Sequence, residues 1–307
     1  MYIANPIYDT VFKHLMENDK VARFFIETLI ETPVESIEVV PSEFTYFVPK
    51  DKKTANLKTG ENSDNRDFLG ILRYDFLAII NTKEGHKKVL IEIQKAKNNT
   101  DIMRFRQYLA EQYKRKNVIK AENKKTKEVL PIITIYMLGF KLPETKAIAI
   151  AVSRHYRDMI DSKELNIKSK FIECLTHDSY VVQIPRIEGK TRTRLEKLLS
   201  IFEQEYFFDE RGILKEYNHK LDDENIRYMV DILHHTGADP KQQVEIEKEW
   251  EAYQYLEEFE EQIEAIAELK QAISKHEKTI EEKDKSLAEK DDLIKKLQTE
   301  LKLKNNS

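Results

Sequence analysis

The spacing of apolar residues predicts a helix near the start of the chain, followed by extended segments. Between residues 8 and 31, apolar side chains recur at intervals of three and four and so share one helical face: Val11, Phe12, Leu15, Met16, Phe24, Phe25, Leu29 and Ile30. Thr32-Pro33 ends this helix, because proline disfavours helical geometry in the residue before it. Residues 36–48 suit an extended segment interrupted by Pro41, and the polar residues 49–70 suit a long loop.

Two apolar runs then predict an antiparallel β-hairpin. Residues 71–80 and 88–94 are rich in β-branched and aromatic side chains, and the short segment between them contains Gly85. A second helix is expected over 101–121, with Asp101 as its N-cap. The β-branched run at 130–138 predicts a buried strand. These elements together predict an α/β fold.

The segment that follows carries weaker signals of the same kind. Further strands are expected at 146–153 and 180–184, and further helices at 190–206 and 222–235. Residues 155–240 show no recognisable chemistry. We therefore expect one domain over residues 1–240, with any functional motifs in its first 140 residues.

From about Gln242 the pattern changes to a seven-residue repeat. One seam position is apolar throughout: Ala252, Phe259, Ile266, Ile273, Ile280, Leu287, Ile294 and Leu301. The position three residues further on is only partly apolar, since it includes His276, Lys283 and Lys290. Residues 242–304 therefore predict a charged helix that forms a weak coiled coil and makes the protein a homo-oligomer; a merely solvated helix is the alternative.

Composition and charge narrow the class of protein. The chain has 307 residues, of which 35% are charged, but its formal net charge is only −4, so any nucleic-acid surface must be local. The single cysteine, Cys174, excludes an internal disulfide. The chain lacks the apolar core of a signal peptide and any run long enough to cross a membrane, which predicts a cytoplasmic protein. The histidines show no zinc-binding spacing.

Acidic residues set into the apolar hairpin are the candidates for chemistry. Glu92 and Gln94 lie two residues apart and hence on one face of their strand. If the hairpin closes around 81–87, Asp75 lies roughly opposite Glu92. Two carboxylates in a poorly solvated site raise one pKa or bind a cation, and a hard divalent ion such as Mg²⁺ or Mn²⁺ suits oxygen ligands. Asp9 and Lys13 lie one helical turn apart on the first helix.

The order of these motifs resembles the PD-(D/E)XK nuclease fold, and in particular the branch of transposases related to recombination-promoting nucleases. The resemblance covers about the first 140 residues well. The matching residues, in chain order, are Asp9, Phe12 and Lys13, then Asp75, then Ile91 to Gln94, then Asp101, Met103, Arg104 and Tyr108, and finally the run at 132–140.

This resemblance implies divalent-metal-dependent hydrolysis of DNA phosphodiester bonds. Asp75 and Glu92 would hold Mg²⁺ or Mn²⁺ together with the main-chain carbonyl of Ile93, and the metal would activate a water. Most of the superfamily has lysine where this chain has Gln94, which can orient a water but carries no charge. Lys13 is a candidate to supply that charge from the first helix. DNA is therefore the expected partner.

Simpler roles for the same residues remain open at this stage. Asp75 could pair with Arg73 or Arg104, and Glu92 could form an ion pair without a metal. Asp9 could be the N-cap of the first helix. Lys13 could lie in solvent beside Glu17, and Gln94 could be a buried amide with its hydrogen bonds satisfied.

A basic cluster near the end of the second helix is the candidate DNA-binding surface. It includes Lys114, Arg115 and Lys116, with Arg104 earlier on the same helix. The same cations could instead complement the helix dipole. A second functional hypothesis is a weakly active or inactive nuclease-fold protein that binds DNA or protein as a scaffold through its coiled coil.

Overall fold

The structure is a computed structural model that describes residues 1–41, 43–48, 68–73, 75–94, 102–121 and 124–304. The predictions made for residues 49–67 and for Asp101 lie outside these residues, and so does the side chain of Arg104. The chain divides into two compact units, Met1–Trp250 and Glu251–Ser307.

The first unit contains a mixed central sheet flanked by helices. Its helices are α1 Asp9–Met16, α2 Asp19–Ile30, α3 Ile102–Lys114, α4 Lys170–Glu173, α5 Arg194–Ser200 and α6 Glu224–Ala238, and α7 Pro240–Lys304 begins in this unit. Its strands are β1 Tyr2–Ala4, β2 Ser36–Val39, β3 Glu43–Val48, β4 Phe68–Arg73, β5 Phe76–Thr82, β6 Gly85–Gln94, β7 Asn117–Ala121, β8 Lys124–Glu128, β9 Ile132–Leu138, β10 Ala149–Val152, β11 His177–Gln183 and β12 Leu214–Glu216.

Six strands form the central sheet, in the order β10-β11-β9-β6-β5-β2. β9 is parallel to both β6 and β11, and the other pairs are antiparallel. β5 and β6 form the predicted hairpin, with register Phe76↔Ile91 at one end and Thr82↔Gly85 at the other. Its first strand is shorter than the predicted 71–80, because residues 68–73, expected partly as loop, form β4 and pair with β3. Gly85 has a φ of 105°, a geometry that favours glycine, at the tight turn between them. The predicted α/β class is confirmed as a mixed sheet with flanking helices.

The two faces of this sheet are covered by different helices. Ile91 and Ile93 of β6 pack into the main core with α1, α2, α5 and α6, where the rings of Phe12, Phe25 and Phe202 meet edge-on or tilted. Leu90 lies on the other face, packed against α3. Because side chains alternate along a strand, Glu92 and Gln94 share the α3 face with Leu90.

Three predicted helices differ in extent from the observed ones, and the helix expected over 190–206 is only Arg194–Ser200. The single helix expected over 8–31 is broken into α1 and α2, because Asn18 adopts extended geometry and its side chain accepts the amides of Lys20 and Val21 as the N-cap of α2. The helix expected over 101–121 ends at Lys114. Val118 and Ile119 belong instead to β7, as their β-branched side chains favour.

The second unit is helical. α7 continues through it to Lys304, as the heptad pattern predicts. Five of its described seam residues are each more than half exposed: Ile266, Ile273, Ile280, Leu287 and Ile294.

Candidate functional site

Asp75 lies immediately before β5, not in the middle of a strand as the sequence suggested. β4 ends at Arg73, and Asp75 forms a bend from which β5 starts at Phe76. Its carboxylate Oδ2 accepts the main-chain amide of Ile93 at 2.5 Å. This bond extends the β5–β6 ladder by one hydrogen bond. Asp75 is only 8% exposed, so this end of the hairpin is buried.

Glu92 lies directly across from Asp75. The register pairs Phe76 with Ile91, so the next position outward pairs Asp75 with Glu92 on the same face. Glu92 is 5% exposed. Burial and the charge of Glu92 both raise the pKa of Tyr136, which is its partner on β9. The hairpin therefore brings together the two carboxylates that the sequence placed opposite each other.

Asp9, in the first turn of α1, is the third carboxylate of this group. Burial raises the pKa of Asp75 well above its ordinary value, and the negative charges of Glu92 and Asp9 raise it further; Asp9 also hydrogen bonds to it. Lys13 Nζ lies 3.4 Å from Asp9 Oδ2, so its charge is directed at this group and not at Glu17. A protonated carboxyl or a bound cation relieves the repulsion in such a cluster.

Glu249 also belongs to the surroundings of Asp9, although no sequence pattern predicts it. Its two carboxylate oxygens accept the main-chain amides of Asp9 and Thr10 at 2.7 and 2.9 Å. It thus satisfies donors at the start of α1, where negative charge is favourable. Asp9 does not have this role: the N-cap is Tyr8, without a side-chain hydrogen bond. A separation of 240 residues hides the contact between Glu249 and Asp9 from any local pattern.

The oxygen atoms at the end of the hairpin are suitable ligands for a hard cation. A residue's amide and carbonyl point to the same side of its strand, so the Ile93 carbonyl faces the same side as the amide that Asp75 accepts. Two carboxylates and one carbonyl are the oxygen ligands that Mg²⁺ or Mn²⁺ prefers. Among the described residues, no group of three or more His, Cys, Asp or Glu side chains is arranged to hold a metal. The Ile93 carbonyl is a further oxygen that this arrangement offers.

Gln94 lies one step further along the same face, at a largely apolar cavity of about 270 Å³. Its main-chain carbonyl accepts the amide of Gly139 at 2.6 Å. Its side-chain Nε2 is buried, and no acceptor among the described residues reaches it. The expectation of a satisfied buried amide is therefore not met in this part of the chain.

The basic cluster lies away from the acidic group. Burial lowers the pKa of Lys88 to about 8, and the positive charge of Arg115 contributes to this shift. Arg115 is therefore near Lys88 on β6. Lys88 and Glu92 are separated by four residues, or about 13 Å along a strand. Lys114 is paired with Glu111 at 3.0 Å and, like Lys116, is exposed. These contacts place Arg115 near the Lys88 end of β6 and pair Lys114 within its own helix.

Comparisons with known proteins add no identification. No protein-family model, no curated protein and no solved structure matches this chain. Within the described residues, no helix is long and apolar enough to cross a membrane. Any functional assignment therefore depends on the geometry of the site itself.

Proposed function

We propose that this protein is a divalent-metal-dependent DNA endonuclease of the PD-(D/E)XK fold, related to transposase-associated and recombination-promoting nucleases. The observation that carries the proposal is the position of Asp75 directly across from Glu92 at the buried end of a hairpin, with Asp9 against Asp75. Repelling carboxylates in a poorly solvated site cost stability unless a cation or proton compensates them. A bound metal ion would compensate the repulsion between these carboxylates and so offset the lost stability.

In the proposed reaction, water adds to the phosphorus of a DNA phosphodiester and the bond to one sugar oxygen breaks. A Mg²⁺ or Mn²⁺ ion would polarise the phosphate and lower the pKa of the attacking water. Asp75, Glu92 and the carbonyl of Ile93 would hold the ion. The proton lost by the water ends on the departing sugar oxygen, so the charges balance.

Gln94 and Lys13 divide the role of the lysine that is usual in this fold. The Gln94 amide oxygen would orient the water without adding charge. Lys13 carries its positive charge 3.4 Å from Asp9, which in turn hydrogen bonds to Asp75. Because it is paired with Asp9, this charge would partly offset the negative charge of the acidic group. Less positive charge would then be available to stabilise the phosphate. The expected consequence is a slow enzyme.

The exposed seam of α7 supports self-association. Its isoleucines and leucines recur every seven residues, and five of them, from Ile266 to Ile294, are more than half exposed in the single chain. A second copy of the same helix offers the matching seam. Two cutting domains held in one assembly would cleave both strands of a duplex, which gives the second unit a purpose.

The test is nicking of supercoiled plasmid by the full-length protein with Mg²⁺ or Mn²⁺. Asp75→Asn and Glu92→Gln keep the size of each side chain and remove its charge, and each should lower the rate at least about a hundredfold. Glu84→Gln, at the turn of the same hairpin, is the matched control and should nick normally. Unchanged nicking by both site variants would refute the assignment. Absence of nicking by the wild type, with DNA binding intact, would favour the scaffold hypothesis.

A further inference from the structure

The cavity beside Gln94 has aromatic and aliphatic walls. It is lined by the ring of Phe105 from α3, by Tyr136 from β9, and by Phe140 just after that strand. The rings of Phe105 and Tyr136 are in contact, with centroids 4.0 Å apart. At about 270 Å³, the cavity is slightly smaller than the roughly 300–1,000 Å³ of sites for drug-sized molecules. Its size and lining suit one planar ring system.

One edge of the cavity is polar. Glu92 and Gln94 both line it, so it opens onto the same strand face that carries the acidic group. The buried Nε2 of Gln94 has no acceptor among the described residues. A ligand with a ring nitrogen or carbonyl acceptor would satisfy this donor, whose burial without a partner is unfavourable. Because the lining includes the Glu92 carboxylate, the inserted group should be uncharged.

Two cations lie next to residues that line the cavity. Lys141 is exposed and lies in sequence between two lining residues, Phe140 and Leu142. Arg186 donates to the main-chain carbonyl of Leu142 at 2.9 Å. A ligand with a neutral planar ring and an attached anionic group would therefore find both complements here.

We propose that this cavity binds a single unstacked nucleobase of single-stranded DNA, next to the phosphodiester that is cut. The inference rests on the proposed nuclease function and adds its substrate class: single-stranded or frayed DNA. Base–aromatic stacking accepts every base, because each base has a π-face, and every base also offers an acceptor to an amide donor. A base held within a duplex could enter only after unpairing, which costs free energy.

The test measures DNA binding without cleavage, so that it does not depend on the nuclease assay. A short fluorescein-labelled single strand is titrated with full-length protein in EDTA, followed by anisotropy, with the unlabelled single strand, the matching duplex and adenosine monophosphate as competitors. Val181→Trp fills the cavity, Phe140→Ala removes one wall, and Phe140→Trp restores an aromatic surface. Phe171→Ala is the control, because Phe171 is 73% exposed and does not line the cavity.

The proposal predicts that Val181→Trp and Phe140→Ala each weaken single-strand binding about tenfold, that Phe140→Trp recovers most of the binding lost in Phe140→Ala, and that Phe171→Ala binds like the wild type. The single strand should compete better than the duplex, and the monophosphate weakly. Equal binding by all four variants, or stronger binding of the duplex, would overturn the cavity assignment even if Asp75→Asn abolished nicking. Loss of binding in the cavity variants, with nicking unaffected by Asp75→Asn, would instead refute the proposed catalytic site.

Discussion

Asp75 accepts the main-chain amide of Ile93 at 2.5 Å, where a continued β5 would have made a ladder bond. This contact fixes the carboxylate across from Glu92, and it directs the Ile93 carbonyl toward the same place. Both positions depend on the hairpin register, because a slip of one residue would turn Glu92 into the opposite face of the sheet. The register of the β5–β6 hairpin therefore determines the geometry of the site.

Removing the charge of Asp75 should stabilise the metal-free protein. An asparagine still accepts the Ile93 amide but no longer repels Glu92 and Asp9. Because the pKa of Asp75 is raised in the folded state, the wild type loses stability as pH rises from about 3.8 through that raised pKa. The advantage of Asp75→Asn in thermal melting with EDTA should therefore grow with pH, reaching at least about 2–4 °C.

Asp222→Asn is the control for this experiment. The hydrogen bond from Lys197 lowers the pKa of Asp222, so its charge contributes stability above the ordinary pKa, and its removal should have the opposite sign. If Asp75→Asn melts at or below the wild-type temperature at every pH, the carboxylates do not repel each other as described.

Glu249→Ala should destabilise the protein and slow nicking. It leaves the amides of Asp9 and Thr10 without their carboxylate, a loss comparable to that of a helix cap, about 1 kcal/mol. Urea unfolding measures the loss. Glu245→Ala removes an exposed acid from the same helix, paired with the exposed Lys248, and should change stability by a few tenths of a kcal/mol. Equal effects of the two variants would count against the role of Glu249.

Lys215 should give the protein a pH-dependent stability above neutrality. Burial lowers its pKa to about 7, while nearby Glu203 opposes that shift. Between about pH 7 and 10.5 the unfolded state binds the extra proton, so the free energy of unfolding rises with pH by about 1.4 kcal/mol per unit. Lys215→Met should abolish this rise in urea unfolding, and the exposed Lys220→Met should keep it. A rise that persists in Lys215→Met would contradict the burial argument.

Ile273→Asp should disrupt self-association. Each chain of a dimer would lose about 1.5–3 kcal/mol of apolar burial, so association should weaken at least about a hundredfold in sedimentation experiments. Ser274→Asp introduces the same charge one position off the seam and should associate like the wild type. Truncation after Trp250 should give a monomer while keeping Glu249 and the buried Ile246. Should the full chain itself sediment as a monomer, the α7 proposal fails.

The parts of the fold that local sequence patterns could predict are those with short-range causes. Two apolar runs and a turn predict the hairpin, and the hairpin in turn predicts that Asp75 lies opposite Glu92. The break at Asn18 was missed because the apolar spacing continues across it. A signal was available, since Asn18 is a favoured N-cap residue followed by Asp19 in the first turn of α2.

Long-range contacts account for what the sequence could not show. In the sequence, Glu249 is one of many acidic residues in a charged helix. In the fold, its carboxylate accepts the amides of Asp9 and Thr10. The cavity beside Gln94 combines side chains from α3, β6, β9 and β11, which no local pattern connects. The position of Arg115 near Lys88 likewise depends on how α3 lies across the sheet.

Titration of Mn²⁺ into the metal-free, full-length protein, followed by calorimetry, tests the central claim most directly. Asp75 and Glu92 are proposed to hold one divalent ion, so the wild type should bind one Mn²⁺ at this site. Asp75→Asn and Glu92→Gln should each weaken binding at least about tenfold, while Glu84→Gln should bind like the wild type. A wild type that binds no Mn²⁺, or site variants that bind it unchanged, would contradict the account.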